Sequence, residues 1–253
     1  MVNGPATTSN TADSAIEKTK QRALFELAVA YVLIMSVIWS PRPWQRVLWL
    51  IAVAAVATIT VRSWEGHQAV GLRRKNFWRS LWIVVVALLL AAMGVLLSMH
   101  LHTLRLPDAP PSGIGRSDDA VGHTLLFVRT YWAYALWTFT QQFLLQGFFL
   151  LRLLPTAKMA ALAAATLFAL AHIPNPILAV ATLVWGFAAC LIFLRYRNLY
   201  PLAMAHAIFG VTIAIAIPGP VIRNMRVGLG YLNYGHRRPI PASLQPQRPD
   251  GVH

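Results

Sequence analysis

Acidic residues and cysteine are what this chain has least of. Only 8 of its 253 residues are Asp or Glu, against 22 Lys or Arg, and one cysteine, Cys190, sits inside an apolar run. A single thiol makes neither an internal disulfide nor a thiolate zinc site, so Cys190 is expected to be a small core residue. No Asp or Glu occurs between Ala120 and Pro249. Carboxylate chemistry in that half would have to draw on Glu26 or on Asp118 and Asp119. Charge of either sign is scarce, at 12% of residues against 57% apolar, which excludes an ordinary soluble domain. The net charge of +14 comes in short clusters between apolar runs, the arrangement of positive-inside loops. No nucleic-acid-reading motif accompanies it, so no nucleic-acid partner is expected. Several apolar runs approach the ~20 residues that cross a bilayer. The expected fold is all-α: a polytopic membrane helix bundle of about seven or eight transmembrane helices, multi-pass in the cell membrane and surrounded by lipid.

Taken in order, residues 1–20 read as a disordered polar tail without the basic-then-apolar layout of a cleavable signal peptide. The transmembrane domain spans 21–222. Its first span, about Leu24 to Trp39, carries Glu26, which is expected to pair with Arg22 at i,i+4. Pro41 and Pro43 end that helix, and a second span runs from about Val47 to Val61, flanked by the interfacial Trp44, Trp49 and Trp64. The basic loop holding Arg62, Arg73, Arg74, Lys75 and Arg79 is assigned to the cytoplasm. A third span, Leu81 to about His100, leads to a loop at 102–123 rich in Pro, Gly and Asp, large enough to serve as a lid. His100 and His102, two residues apart, make a poor metal pair. The fourth span ends at Arg152 and Pro155, the fifth is about Met159 to Ile173, and Pro174-Asn175-Pro176 forces a turn. The sixth runs from Ile177 to Leu194 and the seventh from Leu202 to Ile217. Residues 223–253 form a basic, largely disordered tail. Alternation of sides puts that tail opposite the basic loops, against the positive-inside rule.

The fourth span breaks its own apolar character. Gln142 and Gln146 are four apart and share a helix face, which Thr138 and Tyr134 extend backwards, with Gln141 beside them. Polar groups at membrane depth point into the bundle, towards partners or a cavity. The available partners are His172 and His206, each alone in its own apolar segment. Interhelical hydrogen bonding, worth about 1 kcal/mol per contact, is one role for such a cluster, and a polar site is the other.

Three segments taken together resemble the CPBP (Abi) membrane proteases, the CAAX prenyl protease and bacteriocin-processing type. That family's pattern is Glu-Glu followed three residues on by Arg-Gly, then Phe-x-x-x-His, then His with Asn or Asp four residues later. Here the segments read Gln141-Gln142-Phe-Leu-Leu-Gln146-Gly147, then Phe168-Ala-Leu-Ala-His172, then His206-Ala-Ile-Phe-Gly210. Gly186 and the run Arg195 to Pro201 also look like the family, and the resemblance covers about 125–217. It implies Gln141, Gln142, His172 and His206 as the catalytic positions, with Thr138, Gln146 and Phe168 lining and supporting the cavity. In the family the first Glu activates water while the histidines and Asn stabilise the oxyanion; Gln141 cannot take a proton at ordinary pH. The implied function is a CAAX-protease-like integral membrane endopeptidase acting on a membrane-associated peptide, its activity weakened by the amide at 141. The alternative is a catalytically inactive pseudoprotease that binds a peptide or lipidated chain end as scaffold or immunity factor. The sequence assigns no cofactor and leaves open a divalent metal at His172 and His206, which would find two imidazoles and an amide where zinc takes three good ligands.

Overall fold

The computed structural model describes residues 7–63, 70–104, 120–155 and 159–234. These residues form helices and turns only: α1 (Thr7–Trp39), α2 (Arg42–Arg62), the short α3 (Phe77–Ser80) and α4 (Trp82–His100). The next pass is composite: α5 (Ala120–Gln142), a π-helical segment (Phe143–Leu150) and the single turn α6 (Leu151–Leu153). Then come α7 (Ala160–Leu170), α8 (Pro176–Tyr196), α9 (Tyr200–Ala216), α10 (Gly219–Ile222) and α11 (Gly228–Leu232). Four helical stretches, Asp13–Trp39, Arg42–Arg62, Phe77–His100 and Pro176–Tyr196, are long and apolar enough to cross a membrane, and α7 and α9 are shorter apolar helices. The molecule is a polytopic helical bundle.

The helices are apolar on more than one face because they meet two apolar media. Along α4, Ile83, Val84 and Ala87 are buried while Val85, Leu88, Leu89, Met93 and Leu96 are exposed. In a bilayer such outward side chains contact acyl chains, and the backbone bonds stay inside the helix. The inner core gathers around the π segment, where Leu145, Phe148 and Leu150 are fully buried with Phe193, Leu199 and Leu202. Small residues set the closest approach: Ala160, Ala161, Ala164, Ala165 and Ala169 form the buried face of α7, which packs on α8. Gly186 belongs to the same contact, since a Cβ there would lie 3.3 Å from Phe168 Cδ1 and 3.5 Å from Ala165.

The two ends of the bundle are tied differently. At one end Arg73 Nε donates to the Arg197 carbonyl at 2.9 Å, Asn76 Nδ2 to that of Tyr196 at 3.1 Å, and Asn198 Nδ2 to those of Arg73 and Lys75 at 2.8 and 3.1 Å. The two basic loops therefore form one surface. At the other end Asn175 caps α8, its Oδ1 accepting from Leu178 N at 3.2 Å, with Pro176 opening the helix. Its Nδ2 donates to the carbonyls of Ile222 and Arg226 at 2.9 and 3.2 Å, and Gly228 N donates to Ile173 O at 2.9 Å. The segment after α9 thus lies against the α7–α8 turn and the end of α1, on the face opposite the basic loops.

Helical structure reaches beyond the first and last spans at both ends of the described chain. α1 begins at Thr7, so residues 7–20 are helical. Bonds spaced by one turn run along this extension, Thr19 Oγ1 to Ala15 O at 2.9 Å and Arg22 to Glu26 at 2.9 Å. Likewise Arg223–Met225 and Gly228–Leu232 are ordered as a 3-10 turn and a helix. Residues 235–253, Trp64, Glu65, Lys158 and most of the loop at 102–123, with Asp108, Asp118 and Asp119, lie outside the described residues.

Candidate functional site

The composite fourth pass carries the amides into the bundle. Gln141 is partly exposed, whereas Gln142, Thr138 and Gln146 are fully buried. The sequence reading placed Gln142 and Gln146 on one α-helical face. Instead the helix changes to π form at Phe143, where hydrogen bonds reach five residues back rather than four. Gln142 Nε2 lies 2.8 Å from Nδ1 of His206 on α9. Among the described residues, Gln142 Oε1 and both amide atoms of Gln146 are buried without a partner. Thr138 closes on its own helix, Oγ1 donating to Ala135 O at 2.8 Å.

His172 sits in the turn just beyond α7. Its Nδ1 is 2.7 Å from the Phe168 carbonyl. A carbonyl only accepts, so Nδ1 carries the proton and, in the neutral ring, Nε2 keeps its lone pair. Through the Gln142 contact, in which the amide nitrogen donates, His206 takes the opposite tautomer: Nδ1 accepts and Nε2 bears the hydrogen. The pair therefore offers one basic nitrogen and one N–H donor.

Phe168 joins them. Its ring stands edge-to-face to His172, centroids 4.8 Å apart, and to His206 at 5.9 Å. Both imidazoles thus belong to one cluster, with Trp185 of α8 tilted against His206 at 6.3 Å. A cavity of about 2330 Å³ opens beside it, lined by Gln141, His172, His206, Phe168, Tyr134 and Trp185 among many apolar side chains. Thr138, Gln142 and Gln146 are not part of that lining. Gln142 reaches the site through His206, and Thr138 and Gln146 are buried in the bundle away from the lining. Trp185 and Tyr134 complete the site; the sequence offered Tyr134 only as an extension of a helix face, and Trp185 carried no polar pattern to single it out.

Glu26 does not line this cavity. Its carboxylate is held at 2.9 Å by Arg22 and at 3.1 Å by Arg152. Arg152 also donates to Ser63 Oγ at 2.8 Å, and its guanidinium lies 3.6 Å over the Phe148 ring. The expected Arg22 pair is present, and the second partner from α6 ties Glu26 to the end of the site-bearing pass. Among the described residues no group of three or more His, Cys, Asp or Glu is arranged to hold a metal ion. Two imidazoles and neighbouring amides fall short of the three good ligands that zinc takes, so the donor set fits a cation poorly.

No curated protein and no solved structure matches the chain. A family model described as type II CAAX prenyl endopeptidase, Rce1-like, matches residues 123–212, a stretch running from α5 into α9 with both histidines and all three glutamines. The chain is thus an integral, multi-pass membrane protein whose site-bearing segment is similar to the Rce1-like type II CAAX prenyl endopeptidases.

Proposed function

We propose that this protein is a membrane-embedded endopeptidase acting on a membrane-associated peptide, with His172 rather than a carboxylate as its proton acceptor. The observation that carries this reading is the 2.7 Å bond from His172 Nδ1 to the Phe168 carbonyl. It orients the ring and leaves Nε2 as a base, the role a histidine takes when its other nitrogen is fixed by an acceptor. Gln141, in the cavity wall, can hold the water through its amide oxygen. His206 offers its N–H to the carbonyl oxygen of the peptide bond, where negative charge develops. Water attacks that carbon, its proton passes to His172, and the amine leaves with a proton returned from the same ring. The mostly apolar walls suit the prenyl or other lipid chain that the family name implies for its substrates. Lacking the carboxylate that family members place at position 141, the enzyme is expected to turn over slowly.

The second reading, a pseudoprotease that binds the peptide or lipidated chain end without cutting it, draws on one observation: among the described residues, the cavity lining contains no acid. Purified protein in vesicles, given a panel of prenylated and unmodified membrane peptides, separates the two. Cleavage by the parent, lost in His172→Ala by about 10²–10⁴-fold, supports the enzyme. Binding without cleavage, with hydrolysis gained only in Gln141→Glu, supports the pseudoprotease and ends the base assignment to His172.

A further inference from the structure

Gly210 stands one turn after His206 on α9, and a Cβ built there would fall within the phenol of Tyr134. The ring comes from α5, so two helices of the site meet at this point. Residues four apart share a helix face, which puts the phenol over the same face of α9 that carries His206. Tyr134 lines the cavity together with Gln141, His172 and His206. Gln142 holds one nitrogen of His206 and Phe168 holds one of His172, whereas among the described residues no hydrogen bond engages the Tyr134 hydroxyl. With glycine at 210, α9 contributes no donor of its own at that position, and a carboxamide there could not coexist with the phenol.

We propose that Tyr134 is a further catalytic residue of this site, its hydroxyl donating a hydrogen bond to the carbonyl oxygen of the bound peptide. The proposal rests on the peptide-directed reading given above. The phenol is a donor at neutral pH, and its rigid ring, wedged against the flat face of Gly210, costs little further ordering when the substrate arrives. Together with the N–H of His206 it gives the carbonyl oxygen two donors from two helices, the arrangement that stabilises a developing oxyanion. Gly210 is then explained by the space it leaves: any side chain would displace the hydroxyl.

The test uses the full chain in lipid vesicles with a synthetic prenylated peptide, and compares Tyr134→Phe, Gly210→Asn and the swap Tyr134→Ala/Gly210→Asn. Tyr134→Phe keeps the ring and should lower kcat by about 10²–10³-fold with KM little changed. Gly210→Asn should lose both thermal stability and activity through the clash, and the swap should recover both relative to that single change. Parent-like kcat in Tyr134→Phe overturns the proposal, as does a swap no better than Gly210→Asn. If the parent binds the peptide but does not cleave it, the endopeptidase reading falls and affinity becomes the readout. Tyr134→Phe should then weaken binding about threefold or more, and unchanged affinity overturns the donor role.

Discussion

Gln142 and Gln146, both fully buried and four residues apart, make opposite predictions. Gln142 donates to His206, so Gln142→Ala leaves a buried ring nitrogen unpaired and is expected to destabilise the protein by about 1–3 kcal/mol. Gln146 has no partner at either amide atom, and an unmatched buried amide is a burden on the fold. Gln146→Leu, similar in size, is expected to leave the unfolding midpoint unchanged or raise it. Thermal unfolding of the two variants in the same detergent checks both signs, and a marked drop for Gln146→Leu would mean that its amide is satisfied. The two histidines could be located from the chain alone because each stands alone in its own apolar segment. Their tautomers could not, since these depend on the Phe168 carbonyl and on an amide from another helix. Nor could the different fates of the glutamines be read, because an α-helical spacing was assumed where the backbone is π.

Elements matter here chiefly through their ends and their flat faces. The Pro174-Asn175-Pro176 turn was evident from proline chemistry. The use of Asn175 to hold the carbonyls of Ile222 and Arg226 was hidden, because it depends on a segment almost 50 residues away. Asn175→Ala removes the cap of α8 and both anchors. It is expected to lose about 1–2 kcal/mol and to expose the segment after α9 to proteolysis. Gly186 is the tighter constraint. Its missing Cβ would press on Phe168, the ring shared by the two imidazoles, so Gly186→Val should cost about 1–3 kcal/mol by overpacking and reduce peptide binding as well. Gly186→Ala, adding one methyl at 3.3 Å, should be milder in both assays. The lengths of α1 and of the ordered C-terminal segment were missed for a shared reason. Polar composition signals exposure, but turn-spaced side-chain bonds and docking onto the bundle order these stretches regardless.

At the scale of the whole molecule, bonds among Arg73, Asn76 and Asn198 join the loop before α3 to the one between α8 and α9. The opposite end of α8 carries the α7–α8 turn and the described segment after α9, held there by Asn175. The Glu26–Arg152 pair joins α1 to α6, with side chains 13% and 10% exposed. Glu26→Gln should destabilise by up to about 3–5 kcal/mol, since it removes one charged partner of a largely buried guanidinium. Adding Arg152→Met should recover much of that loss, measurable by unfolding in detergent. The same pair bears on any attempt to isolate the family-like stretch 123–212. Such a fragment would discard both Glu26 and Ser63, the groups of the first two helices that hold the Arg152 guanidinium. The excised piece would therefore lose a clamp on the foot of the pass that presents Gln141, and it should unfold more readily than the full chain.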